Sequence, residues 1–336
     1  MLKNKKLRVP HLTGEILITG GLGFIGSNLA QRLVENGAQV TLFSRSLDNL
    51  RNVVEIKDKV KIVIGDIRDY ETVRRLVKNK DYIFHFAGQI DHIFSMENPQ
   101  LDADINCKGT LNVLESCRRF NDEANIVFSS SVGVIGIVKN IPANENEKEL
   151  PLSIYESHKL VCEKYLSVYY KNYGLPTTTL RFANVFGERQ KMTVSPRGIL
   201  NQMIRRAFLG EAITIYGKGN FIRDYCYIQN YLDACLLSVD SHKTKGEIYI
   251  IGSGKGITFK EMVEKVNSVV KELIGKSTQI KYVPFPAHYK KLDRGDFIAD
   301  YSKFNKATGW YPYISFEEGL KRTVLFYKER LKDYIH

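Results

Sequence analysis

The sequence predicts an α/β protein: a doubly wound parallel sheet with a smaller mixed α/β C-terminal part. Three observations predict it. The apolar run Ile16-Leu17-Ile18-Thr19 breaks into Gly20, Gly21, Gly23 and Gly26 and resumes as the amphipathic segment Ser27 to Val34. Apolar runs of strand length then alternate with helical patterns, which implies a parallel sheet covered on both faces. At 336 residues the chain is long enough to bury a large core as one α/β unit or two joined ones.

The first unit reads as strand, phosphate loop, helix. Gly21-Leu22-Gly23-Phe24-Ile25-Gly26 matches the dinucleotide fingerprint of a Rossmann fold, and Gly20, Gly23 and Gly26 give a second spacing of three. Side chains at such a turn would hold a pyrophosphate away from the backbone N–H groups and from the positive end of the helix. Asn36-Gly37 stops that helix. Gly20, Gly23, Phe24, Ile25 and Gly26 are therefore expected to hold the cofactor.

Gln39 to Phe43 is the second strand, and its end selects the cofactor. An acidic residue there would bind the adenosine ribose, whereas this chain has Ser44-Arg45-Ser46. A hydroxyl and a guanidinium suit a 2′-phosphate, so NADP is favoured over NAD, with Asp48 and an ordinary exposed arginine as the opposing readings. Val60 to Ile64 is the third strand; Asp66 and Ile67 at its carboxyl end are expected at the adenine edge, before a helix through Val77. Tyr82 to Phe86 is the fourth, leading into Ala87-Gly88-Gln89, whose small residues let the backbone approach the cofactor's middle. His85 reads as a sheet residue. A helix from Leu101 to Arg119 carries Asn106 and Gly109-Thr110 and feeds a fifth strand, Ala124 to Phe128. Ser129-Ser130-Ser131 follows at the nicotinamide end of the crevice.

Ser153 and Glu156 have capping-box spacing and open a helix that runs to Tyr173 and stops at Gly174. Tyr155 and Lys159 lie four apart on one face. A phenol with a pKa near ~10 is a poor base at neutral pH, but a nearby ammonium and a positive nicotinamide ring favour the phenolate. With Lys159 also holding the ribose and Ser131 bonding the substrate oxygen, the set suits hydride transfer at a carbinol carbon.

With these motifs in order, the chain resembles the extended short-chain dehydrogenase/reductases, in particular the nucleotide-sugar epimerases and dehydratases. Thr19 to Gly26 resembles the family's glycine loop, His85-Phe86-Ala87-Gly88 its fourth-strand motif, and Tyr155-Glu156-Ser157-His158-Lys159 its catalytic Tyr-x-x-x-Lys. The resemblance implies that Phe182 lies by the cofactor and Asn184 by the sugar diphosphate, within Arg181 to Gly187. It further implies that Tyr216, Arg223 and Arg294 bind the nucleoside diphosphate, and that the enzyme dimerises through two helices per subunit. Gln89 with Ser95 and Pro99 is similar to sugar 2-epimerases, which leaves the carbon open. Val132 and Gly133 stand where the dehydratases carry their Asp-Glu elimination pair, so dehydration is not expected. His158 replaces the usual Ser or Thr and reads as a helix-surface variation.

The resulting expectation is a cofactor domain over residues 1-183, with later segments crossing back, and a nucleotide-sugar part over 184-336. The function expected is NAD(P)-dependent epimerisation of a nucleotide sugar, at C4, through a transient ketosugar. The runner-up is an NADPH-dependent 4-keto-6-deoxysugar reductase, which the Ser44-Arg45 pair favours. The net charge of +12 motivates a third reading, an RNA-binding scaffold. Apart from Lys3 to Lys6, however, the lysines are spread along the chain, and a solvated surface explains them. Cys107, Cys117, Cys162, Cys226 and Cys235 form no C-x-x-C pair, so neither a metal site nor a disulfide framework is suggested and a reducing cytoplasm is expected. No apolar run has the length of a membrane span.

Overall fold

The computed structural model describes residues 7–192, 198–284 and 295–335. Lys3 to Lys6 and Arg294 therefore lie outside the described residues. The first half is a regular alternation: β1 (Glu15–Thr19), α1 (Phe24–Glu35), β2 (Gln39–Ser44), β3 (Val60–Ile64), α2 (Tyr70–Val77), β4 (Tyr82–His85), α3 (His92–Glu97) and α4 (Pro99–Ala103). Next come α5 (Gly109–Phe120), β5 (Asn125–Ser131), α6 (Ile154–Tyr173) and β6 (Thr177–Phe182). The second half holds β7 (Asn184–Phe186), α7 (Ile199–Leu209), β8 (Ile213–Tyr216), β9 (Ile222–Tyr227), α8 (Ile228–Asp240) and β10 (Ile248–Ile251). It ends with β11 (Gly256–Thr258), α9 (Phe259–Ile274), β12 (Ile280–Val283), α10 (Ser302–Thr308) and α11 (Phe316–Tyr334).

Seven strands form one sheet in the order β10-β6-β5-β4-β1-β2-β3. Every pairing in it is parallel. The chain order reverses between β1 and β4, and in an open parallel sheet the crevice beyond the carboxyl ends at such a reversal receives the ligand. The inner strands β1, β4 and β5 are buried on both faces, as their near-continuous apolar sequences require: Ile16, Leu17, Ile18, Ile83, Phe84, Ile126 and Val127 are all in the core. Late segments return to this sheet. β10 pairs with β6, and Arg32 of α1 forms an ion pair with the buried Asp233 of α8. Two small sheets stand beside it, β11-β9-β7 and β12-β8.

Two elements differ from the sequence reading. The helix expected from Leu101 to Arg119 is interrupted by a π-helical turn, Asp104–Lys108, between α4 and α5. The wider turn carries the Asn106 amide to the Gln89 carbonyl and seats Gly109 directly on Ile67, where a Cβ would stand 2.7 Å from the isoleucine Cγ2. The fifth strand runs on through Ser131, because Ser129, Ser130 and Ser131 pair with Leu180, Arg181 and Phe182.

His85 locks the switch point. Its Nδ1 lies 2.7 Å from Thr19 Oγ1 at the end of β1 and its Nε2 3.0 Å from Thr110 Oγ1 on α5. A neutral imidazole, with one donor and one acceptor nitrogen, completes both contacts, and full burial holds its pKa down at about 3. The unfolded chain binds a proton near pH 6.5 that the folded chain refuses. Stability is therefore expected whole above pH 6.5 and lost progressively down to about pH 3, at about 1.4 kcal/mol per pH unit. Urea unfolding of the protein and of His85→Gln across that range checks this: the variant is expected to lose the steep part of the slope.

Candidate active site

The carboxyl ends of β1 and β4 meet at a point where there is no room for side chains. Gly20 has φ +72°, and a Cβ on it would stand 2.9 Å from Ala87 N. A Cβ on Gly26, in the first turn of α1, would overlap the Gly20 carbonyl oxygen. Gly23 is the N-cap, and its N–H donates to Gly20 O. The first-turn N–H groups of α1, those of Phe24, Ile25 and Gly26 among them, have no helical carbonyl behind them and face the crevice end of the helix dipole. Such a cradle fits a pyrophosphate, so the predicted glycine-loop residues fit a dinucleotide. Phe86 follows β4 directly, and Ala87 N donates to Thr19 Oγ1.

Ser44 closes β2, and Arg45 beyond it is exposed. Asp48 is engaged by Ser46, whose hydroxyl donates to it at 2.8 Å. Asp66 is held by Arg68 through Nε at 2.9 Å and Nη2 at 2.6 Å; this pairing, against partial burial, sets its pKa below the ordinary carboxylate value, and Arg45 adds to the effect. Two guanidinium groups thus act on the third-strand end, one of them not consumed by Asp66. Ile67 is buried under Gly109, and its carbonyl accepts from Asn112.

The acid–base residues come from α6 and β5. Ser153 caps α6 by accepting from Glu156 N, but the Glu156 carboxylate reaches one residue further back than a capping box, accepting from Leu152 N at 2.8 Å. Tyr155 and Lys159 are both buried, and the Tyr155 ring meets the His92 ring edge-on with centroids 4.9 Å apart. Lys159 Nζ donates to Ser129 O at 2.9 Å and sits 4.5 Å from the Phe128 ring centroid. Burial lowers its pKa, opposed by Cys162, Asp102, Glu163 and Cys107. Ser131 Oγ accepts from Gly133 N, at the mouth of the same strand. Phe182 ends β6 opposite Ser131 and packs against Tyr231. Glycine at 88 leaves space shared by Asn106 Oδ1 and Lys159 Nζ, 2.7 and 3.5 Å from where its Cβ would be.

Three residues have surroundings the sequence did not convey. A side chain at Gly133 would collide with Glu156, whose Oε1 lies 2.6 Å from the Cβ position; the carboxylate absent from the 132–133 segment is thus present nearby on α6. Ser95, expected to touch substrate, is fully buried: its hydroxyl accepts from Tyr155 N and donates to His92 O, so it holds the start of α6. His158 is not a surface variation. Its Nδ1–H donates to the buried Asp102 at 2.5 Å, which a periodicity argument could not reveal because the partner lies on another helix.

Of the substrate residues, Asn184 and Arg223 are brought together by the β7–β9 pairing: Asn184 Nδ2 donates to Asp224 O, and Arg223 Nη1 donates to Gly295 O at 2.5 Å. Tyr216 is exposed at the end of β8, on the separate two-stranded sheet. The Gln89 side-chain amide donates to Asp91 O beside the α3 start.

A family model described as GDP-mannose 4,6 dehydratase matches residues 17–323. The chain belongs to this family. Within it, the solved UDP-glucose 4-epimerase of Thermotoga maritima, crystallised with UDP-glucose, is 33% identical; the match covers 94% of this chain and 99% of that one, with a TM-score of 0.84. The UDP-glucose 4-epimerase of Thermus thermophilus, solved with NAD, is 30% identical over 94% of this chain and 99% of that one, with a TM-score of 0.81. The CDP-paratose 2-epimerase of Salmonella typhi is 27% identical over 92% of this chain and 97% of its own.

The fit between Gly133 and Glu156 makes a stability prediction. Gly133→Ala is expected to destabilise the fold by about 1–3 kcal/mol through overpacking, and to be nearly neutral when combined with Glu156→Ala. Denaturant unfolding of the two single variants and the double variant measures the coupling.

Proposed function

We propose that the protein is an NAD(P)-dependent epimerase of a nucleotide sugar, acting at C4 by oxidation to a ketosugar and return of the hydride to the other face. The observation that carries this reading is the joint placement of Tyr155 and Lys159 on α6 with Lys159 bonded to the end of the strand that delivers Ser131. Residues 1-183 are taken to hold the dinucleotide and 184-336 the nucleotide sugar. The bound nicotinamide supplies the hydride acceptor and donor. The chain's own residues do the rest. Ser131 holds the sugar hydroxyl, Tyr155 takes its proton and gives it back, and the Lys159 ammonium keeps the phenol acidic enough for both directions. Asn184, Tyr216, Arg223 and Arg294 bind the diphosphate side, the arginines by charge-assisted bonds.

Support for a UDP-sugar comes from the Thermotoga relative, solved with UDP-glucose and named a 4-epimerase; the 2-epimerase relative keeps C2 as the other carbon to test. NADP is the proposed cofactor, although the Thermus relative was solved with NAD, because Arg45 stands exposed at the end of β2 with Ser44. Exposed apolar side chains on α4 and α6, Leu101, Val161, Val168 and Tyr173, support a homodimer. The five free cysteines suit work in the reducing cytoplasm.

Denaturing the purified protein and identifying the released dinucleotide, then incubating it with UDP-, dTDP-, GDP- and CDP-sugars, tests the reading. Conversion without net cofactor change is expected; stoichiometric NADPH consumption would make it a ketosugar reductase. Tyr155→Phe is expected to lower kcat about 10²- to 10⁴-fold with dinucleotide still bound. Arg45→Ala is expected to weaken NADP binding about 10- to 100-fold, the worth of a charge-assisted bond, and to leave NAD binding nearly unchanged by calorimetry.

A further inference from the structure

Lys159 is a buried cation that donates to a neutral carbonyl and lies against an aromatic face. An ammonium in that position needs a counter-charge. The titratable groups that act on it are Glu163 and Cys162 from α6, Cys107 from the π-turn, Asp102 from α4 and His85 from β4. His85 is held neutral by burial, and both thiols keep their protons as donors, Cys162 Sγ to Asn106 O and Cys107 Sγ to His158 O, although the contact with Cys107 draws the Cys162 pKa down. Glu163 is consumed elsewhere: it accepts from both Nε and Nη2 of the buried Arg181 and from Ser130 Oγ.

Asp102 remains. It is fully buried, and its Oδ1 accepts from His158 Nδ1 at 2.5 Å and from Asn106 Nδ2 at 3.1 Å. No arginine or lysine among the described residues is paired with it. Asn106 Nδ2 also donates to Gln89 O, which turns its Oδ1 toward Gly88. That oxygen is buried with no hydrogen-bond partner among the described residues, and Lys159 Nζ flanks the same glycine. The two atoms are no farther apart than the sum of their distances to the Gly88 Cβ position. Asp102 Oδ2 is likewise buried without a partner.

We propose that Asp102, oriented by His158 and relayed through the Asn106 amide, is the counter-charge that positions the Lys159 ammonium beside Gly88, so that Asp102 and His158 are positioning residues for the reaction. An imidazole that donates Nδ1–H fixes the direction in which the carboxylate points. Asn106, clamped by both nitrogen contacts, presents its dipole to the cation in one direction only. His158 is next to Lys159 in sequence, which ties the register of the catalytic residue to the pair.

The inference rests on the reading of Tyr155 and Lys159 as the acid–base pair, and its test separates the two. Tyrosine ionisation is followed by its ultraviolet absorbance in NADP-loaded protein, with Tyr155→Phe as the control. A low-pH phenol step present in the protein and missing from the control identifies Tyr155; if no such step exists, the acid–base reading fails. Asp102→Asn keeps the shape and removes the charge, which weakens the hold on the ammonium. It is expected to raise that step on the order of one pH unit, the size of a single charge acting over several ångströms at an effective dielectric near 20. His158→Gln leaves the charge and a donor in place and is expected to leave the step where it is. Should Asp102→Asn not fold, the double variant Asp102→Asn/His158→Gln replaces both partners with amides and is expected to show the same rise. A step that stays put in folded Asp102→Asn or in the double variant overturns the proposal, as does an equal rise in His158→Gln alone.

Discussion

The buried ammonium of Lys159 is the interaction on which the site depends. Placing a cation in a low-dielectric interior is costly unless its protons are taken up, and here the acceptor is the main chain of β5 itself, at Ser129. One turn further along α6, Glu163 bonds Ser130 and the buried Arg181 of β6. Two charged side chains on consecutive turns thus grip two adjacent strands at their carboxyl ends. Neither grip tolerates a slip of register, because a one-residue shift would leave a charge buried without a partner. The serines at the end of β5 are therefore more than a polar exit from the sheet: one gives its carbonyl, one its hydroxyl to the structure, and Ser131 is left at the mouth.

Around that anchor the chain places absent side chains as deliberately as present ones. Gly20 and Gly26 clear the approach to the first helix turn, Gly88 leaves the space between Asn106 and Lys159, and Gly133 admits the Glu156 carboxylate. Each opening serves a different neighbour. The last of them lets a carboxylate from α6 stand against the segment after Ser131, which carries none of its own.

A buried carboxylate also ties the segments of the second half to one another. Asp224 in β9 accepts from Ser253 N and Oγ, Gly254 N and Ala299 N, which closes the turn after β10 and the segment at 299 onto the small sheet. Burial raises its pKa, and these donors oppose the rise. Because β10 belongs to the large sheet, the strand that carries Arg223 is fixed relative to the crevice rather than hung from it by a loop.

What the sequence alone determined was whatever rests on local pattern. The glycine loop, the strand runs, the Ser153 cap and the Gly174 stop follow from backbone geometry that neighbouring residues dictate, and the order of the motifs carried the family. Tertiary structure decided the pairings between elements distant in the chain: Asp102 with His158, Glu156 against Gly133, Ser95 under the Tyr155 amide, and the π-turn that brings Asn106 to Gln89. Each depends on how segments far apart in the chain pack, and a buried contact between such partners leaves no periodic trace in the sequence of either one.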